Sequence, residues 1–137
     1  MAGLNPRIAG SWRMLRWMLA GFLAAHGWAR FLTGGVVPFG AWLDAQGIPW
    51  GVGIAVSITA LEMVGTPLYA LGIGVFPLSV VYAAIYFTGI ILVHLPAGWF
   101  VVGLGRNGAE YSVLLITCLL LVGIQHRRVV QSTVSSF

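Results

Sequence analysis

The chain has 137 residues, of which 59% are hydrophobic, with seven basic and three acidic side chains and a mean hydropathy of +0.95. Soluble domains carry about 25% charged residues, and so few charges cannot cover the outside of a soluble domain of this size, so the composition excludes a soluble globular protein and indicates an integral membrane one. The formal net charge of +4 is all arginine, with no lysine and no interleaving with exposed aromatics; it excludes a nucleic-acid binder and reads instead as membrane topology.

Residues 1 to 12 read as an irregular, basic lead-in ending at Trp12, a residue type that favours the headgroup layer. The first span is expected over about 14–33, near the ~20 residues that a bilayer core requires. Its start has the basic and apolar character of a signal peptide. The apolar run nevertheless continues past Ala25 into His26, Trp28, Arg30 and Phe31 without a clean small-residue cleavage site, so a retained helix is expected. Gly34 and Gly35 stop it. Residues 34–50, with Pro38, Pro49, Asp44, Trp42 and Trp50, read as a loop apolar enough to lie in the interface and able to form a short helix.

The second span covers about 51–73, with Glu62 near its centre and a kink expected at Pro67. Gly72, Gly74 and Pro77 punctuate a tight turn into the third span, about 78–95, so these two read as an antiparallel hairpin. From Val93 to Glu110 the chain carries Pro96, Gly98, Gly103, Gly105 and Gly108, and is expected to break, turn outside the apolar layer and re-enter. The fourth span covers about 108–125, followed by a polar cytoplasmic tail, 126–137. Cys118, the only cysteine, lies in this apolar run, which leaves no internal disulfide and no thiolate metal site.

Four spans place both termini on one side, and Arg7, Arg13, Arg16, Arg127 and Arg128 mark that side as the cytoplasm. The expected fold is therefore all-α: one integral membrane domain over 1–137, a four-helix bundle with both termini cytoplasmic. Trp42, Trp50 and Trp99 form its outer aromatic belt, opposite Trp12 and Trp17.

A charge in the middle of a membrane costs about 3 kcal/mol on insertion scales, so each ionisable residue in the spans needs a partner. Arg16, His26 and Arg30 lie on the first span, Glu62 on the second, His94 on the third and Glu110 at the head of the fourth. His26 and Arg30 are one helical turn apart on one side, with Arg16 within about 80° of both. Thr59, Glu62, Thr66 and Tyr69 recur at three- and four-residue steps as a polar stripe, and Tyr82, Tyr86, Ile90 and His94 step by four in a slanted row. Such faces are expected to turn inward and meet in an outward-opening pocket.

The cluster suits a proton-coupled step on a carbonyl or hydroxyl compound of low polarity. Glu62 and His94 are the candidate catalytic residues, with Arg30 to hold a developing oxyanion; His26, Arg30, Tyr86 and Glu110 are the candidate cofactor-binding residues. The bland alternatives stand beside this. Arg30 with Glu62 or Glu110 makes a purely structural ion pair, His26 bonds a neighbouring backbone group, the tyrosines only pack, and Glu110 only caps the fourth helix. No HExxH or ExxH spacing is present, and no metal site is expected.

These residues resemble the DoxX family of small bacterial membrane proteins. The matching pieces are Arg16 with Gly21, His26-Gly27 and Arg30; Glu62 followed by Gly65; and His94-Leu-Pro-Ala-Gly98-Trp-Phe100 leading to Asn107-Gly108-Ala-Glu110-Tyr111, over about 14–122. Ala109 departs from the aromatic expected there, and the tail lacks the usual Gly-rich ending. The resemblance implies a multi-pass four-helix bundle in the bacterial cytoplasmic (inner) membrane and a quinone-interacting subunit of a membrane oxidoreductase complex. His26, Arg30, Glu62, His94 and Glu110 would be its polar set. Quinone is the implied cofactor. No haem, flavin or iron–sulfur motif is present, so a partner subunit, or a homo-oligomer, is expected in the bilayer. The alternative is a non-catalytic accessory or assembly subunit of a larger respiratory or photosynthetic complex, meeting its neighbour through small residues such as Gly72, Gly89 and Gly123.

Overall fold

The structure, a computed structural model, describes residues 5–103 and 105–134, and side chains as far as residue 131. All of its regular elements are helical: α1 (Pro6–Leu32), α2 (Val36–Ala45), α3 (Gly51–Ala60), α4 (Thr66–Leu71), α5 (Val75–Gly89), α6 (Leu95–Ala97) and α7 (Glu110–Val134). A π turn, Leu61–Gly65, joins α3 to α4 and a second, Ile90–His94, joins α5 to α6. Among the described residues, the runs Gly51–Leu71, Val75–Ala97 and Glu110–Gln131 are long and apolar enough to cross a membrane. Helix α1 has 27 residues, but its four arginines and His26 lower its hydropathy, and it is not one of the three. Large apolar side chains such as Phe22, Val64, Phe87, Leu114 and Leu121 are exposed along these helices, in numbers that suit lipid rather than water.

Several boundaries differ from the sequence expectation. The lead-in is helical from Pro6, because Asn5 caps it: its Oδ1 accepts the Arg7 N–H at 3.0 Å, and proline suits the first helical position. Residues 34–50 do form the short helix that the sequence allowed, α2, with Pro38 in its first turn, where the missing N–H costs nothing. Pro77 is likewise inside the first turn of α5, which begins at Val75 rather than 78. The expected tail continues α7 to Val134, since nothing from Gln125 onward breaks a helix. Residues 1–4 of the lead-in and 135–137 of the tail lie outside the described residues.

The two π turns share one cause. Each ends two residues before a proline, Pro67 or Pro96. A proline in a regular α-helix collides with the carbonyl four residues back and cannot donate to it; for these prolines that carbonyl belongs to Met63 or Leu92, inside the widened turn. The kink expected at Pro67 is thus absorbed one turn earlier. Helices α1 and α4 end alike, on a left-handed glycine: Gly35 N–H returns to Arg30 O at 2.8 Å beyond Gly34, and Ile73 N–H to Leu68 O at 2.9 Å beyond Gly72.

The chain forms two compact units. One is Ala20–Ile73; the other combines Met1–Leu19 with Gly74–Phe137. Within Ala20–Ile73, α2 packs on α3. A Cβ on Gly40 would come within 2.5 Å of Val52 Cα, and Asp44 Oδ1 accepts the Gly51 N–H at 2.9 Å. Within the other unit α5 packs on α7. Ser79 and Tyr82 on α5, and Leu115, Leu119 and Val122 on α7, are buried at three- and four-residue steps. Gly123 belongs to this contact, since a Cβ there would lie 2.8 Å from the Ser79 Cβ. It is not an open small residue awaiting a partner.

Candidate functional site

Glu62, 2% exposed, is more buried than any other Asp, Glu, His or Arg among the described residues, and the helices are shaped around it. Gly27 on α1 lets the first π turn approach, because a Cβ at Gly27 would stand 2.7 Å from the Glu62 Cβ and 3.3 Å from its carbonyl carbon. One turn further along α1, Arg30 Nη1 donates to Glu62 Oε2 at 2.8 Å and to Thr59 Oγ1 at 3.1 Å. The contact uses one carboxylate oxygen and one guanidinium nitrogen, so it is a single-point ion pair rather than a bidentate fork. Thr59 passes its own hydroxyl proton to Ala55 O at 2.7 Å, and Thr66 donates to Glu62 O at 2.6 Å.

The guanidinium carbon of Arg30 lies 4.6 Å from the centroid of Phe39, which stacks on Trp42 at 6.1 Å and 14°. Helix α2, the short helix expected within residues 34–50, supplies this aromatic wall. The two ends of the ion pair differ in access: the Arg30 side chain is 18% exposed and that of Glu62 only 3%. His26 is exposed one turn before Arg30 and within electrostatic reach of Glu62. Its Nδ1 lies 2.8 Å from Phe22 O. A carbonyl only accepts, so Nδ1 carries the proton of this hydrogen bond. Arg30, Glu62, Thr59 and His26 all belong to the unit Ala20–Ile73.

Tyr86, His94 and Glu110 belong to the other unit. His94 ends the second π turn, and its Nδ1–H donates to Asn107 O at 2.7 Å, with Asn107 at φ +61°. Glu110 opens α7, and its Oε1 accepts the Val101 N–H at 2.9 Å. The segment between them is laced by backbone bonds from Gly108 N–H to Phe100 O at 3.1 Å, Ala109 N–H to Gly98 O at 3.0 Å and Glu110 N–H to Trp99 O at 3.1 Å. Only glycine fits at 108, since a Cβ would collide with the Trp99 backbone. His94 and Glu110 therefore fix this loop through its main chain. Tyr86 is half-buried on α5.

Arg16, one of the arginines that mark the expected cytoplasmic side, is 8% exposed. Thr59 stood in the sequence stripe, but its hydroxyl as a ligand of Arg30 did not; Gly27 entered only through the family resemblance and not as a point of close approach, and Phe39 was missed outright. A glycine flanked by His26 and Trp28 was the available signal for close approach. Phe39 left none, because its role depends on how α2 folds back. Among the described residues, no three His, Cys, Asp or Glu side chains group as metal ligands. Comparison with protein-family models, with curated proteins and with solved structures finds no match to this chain.

Proposed function

We propose that the chain is a DoxX-like, quinone-interacting subunit of a bacterial inner-membrane oxidoreductase complex. In this reading α1 is a fourth span, the helices form a four-helix membrane bundle, and both termini are cytoplasmic. The observation that carries it is the asymmetric Arg30–Glu62 pair. Its carboxylate is sealed, while its guanidinium, backed by Phe39, remains accessible beside His26. Neutralising Arg30 with Glu62 also makes α1 less costly to insert.

The residues fit a quinone headgroup in three respects. Arg30 keeps N–H groups outside the ion pair that can donate to a ring oxygen, Phe39 and Trp42 offer flat apolar surface, and the His26 imidazole lies one helical turn from Arg30. A bound quinone would supply a two-electron, two-proton redox couple, with electrons supplied by a partner subunit. Glu62 holds Arg30 in place and balances its charge. The test is titration of the protein in lipid nanodiscs with a short-chain quinone, followed by quenching of Trp28 and Trp42 fluorescence. Saturable binding is expected, weakened about tenfold or more in Arg30→Gln and in His26→Ala, the loss of a hydrogen bond from a charged group. Equal binding by all three proteins would refute the proposed site.

A second reading, a non-catalytic accessory subunit, is favoured by Gly21, Gly53 and Gly89, where a Cβ would meet open space. Small residues on an apolar helix face let a neighbouring helix approach closely. It predicts that deletion dissolves the larger complex, whereas Arg30→Gln leaves that complex and its turnover intact.

A further inference from the structure

A cleft of about 470 Å³ opens between α5 and the far half of α7, wholly within the compact unit that does not contain Arg30. Its inner wall is apolar, made by Val80 of α5 with Leu120 and Ile124 of α7; its rim carries Arg127, Arg128 and Gln131. The guanidinium carbon of Arg127 lies 4.8 Å from the centroid of the Phe76 ring, which holds that side chain over the mouth. The helices run antiparallel here, since Phe76 meets Arg127 and Ser79 meets Gly123. The first turn of α5, which has no side-chain cap, therefore lies at the same level as the arginines and adds the positive end of its dipole.

Depth matches this chemistry to the bilayer. From Glu110 to Arg127 an α-helix rises about 26 Å, close to the thickness of the hydrocarbon core, so the arginines fall at headgroup level while Leu120 and Ile124 lie among acyl chains. We propose that the cleft binds one anionic phospholipid, its phosphate held by Arg127 and Arg128 and an acyl chain lying along Val80, Leu120 and Ile124. A zwitterionic lipid brings the same chains but also a cation to a rim that already has two, so the site selects for net negative charge. A free phosphate would satisfy the rim and leave the apolar wall empty.

The test uses the full chain, purified in mild detergent, delipidated, and titrated with phosphatidylglycerol, with phosphatidylcholine of the same chains, or with inorganic phosphate. Binding is read by native mass spectrometry and thermal stability. Wild type is expected to prefer phosphatidylglycerol by about tenfold or more, and inorganic phosphate is expected to stabilise little. The double variant Arg127→Gln/Arg128→Gln should lose the preference, and Ile124→Trp should weaken both lipids alike by filling the wall. Arg106→Gln, a loop charge elsewhere, should change neither. Retention of the preference in the double variant, or an equal response to inorganic phosphate, would overturn the proposal. Should the double variant fail to fold, an undiminished affinity in Ile124→Trp is enough to refute it.

Discussion

The two π turns are built by the same device and put it to opposite uses. Each absorbs a nearby proline, and each carries an ionisable residue that the sequence singles out, Glu62 in one and His94 in the other. Glu62 is turned into the protein and meets a side-chain charge, Arg30. His94 is half-buried and its hydrogen bond among the described residues goes to a backbone carbonyl, that of Asn107. The first turn thus organises a charged centre, and the second anchors a loop. A π turn displaces a side chain from the regular helical phase, but what that side chain does is decided by the helix brought opposite: at Glu62 it is Gly27 that admits α1.

The sharpest way to break this contrast is to neutralise each residue in turn. Glu62→Leu leaves Arg30 without its counter-charge in an apolar setting and should lose about 3–5 kcal/mol of stability. His94→Leu removes one hydrogen bond and should lose about 1 kcal/mol. Equilibrium unfolding in mixed micelles measures both, and equal losses would erase the distinction.

The close approach of α1 offers a second test with an internal control. Gly27→Val should cost about 1–3 kcal/mol through overpacking against Glu62 and Met63. Gly21→Ala, on the same helix with open space at its Cβ, should be neutral or stabilising by up to about 1 kcal/mol. Thermal denaturation of the two variants should move in opposite directions, or at least be clearly separated.

Much of this architecture was legible from composition and period. The apolar runs, the glycine stops at Gly34 and Gly72, the break after His94 and the polar stripe through Thr59, Glu62, Thr66 and Tyr69 follow from local residue chemistry, and that stripe is buried throughout. Of the carboxylates that the sequence offered to Arg30, Glu62 is the one it meets. The helical start at Pro6 and the extension of α7 through Arg127 and Arg128 were misread because polarity was taken for irregularity, whereas the short helix inside 34–50 was allowed for. Capping by Asn5, the absence of any breaker after Ile124 and proline in a first turn all favour helix regardless of polarity. The π turns left no periodic signature: the three- and four-residue steps from Thr59 to Tyr69 run through the first as they would through a regular helix.

Smaller effects separate the loop from the charged centre. Glu110→Ala frees the Val101 N–H and should cost about 1–2 kcal/mol, read as faster proteolysis between Gly98 and Gly108, with amide exchange in Ala20–Ile73 unchanged. Thr59→Val removes one of the two acceptors of Arg30 Nη1 while keeping shape, and should cost about 0.5–1.5 kcal/mol. Its amide-exchange response should be confined to Ala20–Ile73.

Whether Arg30 and Glu62 act as a single unit is answered most directly by a double-mutant cycle on unfolding free energy, with Arg30→Gln, Glu62→Gln and the pair combined. A coupled pair predicts a double variant less destabilised than the sum of the single variants by about 2 kcal/mol. Additivity to within about 0.5 kcal/mol would mean that the two charges stabilise the protein independently, and the charged centre described here would not exist.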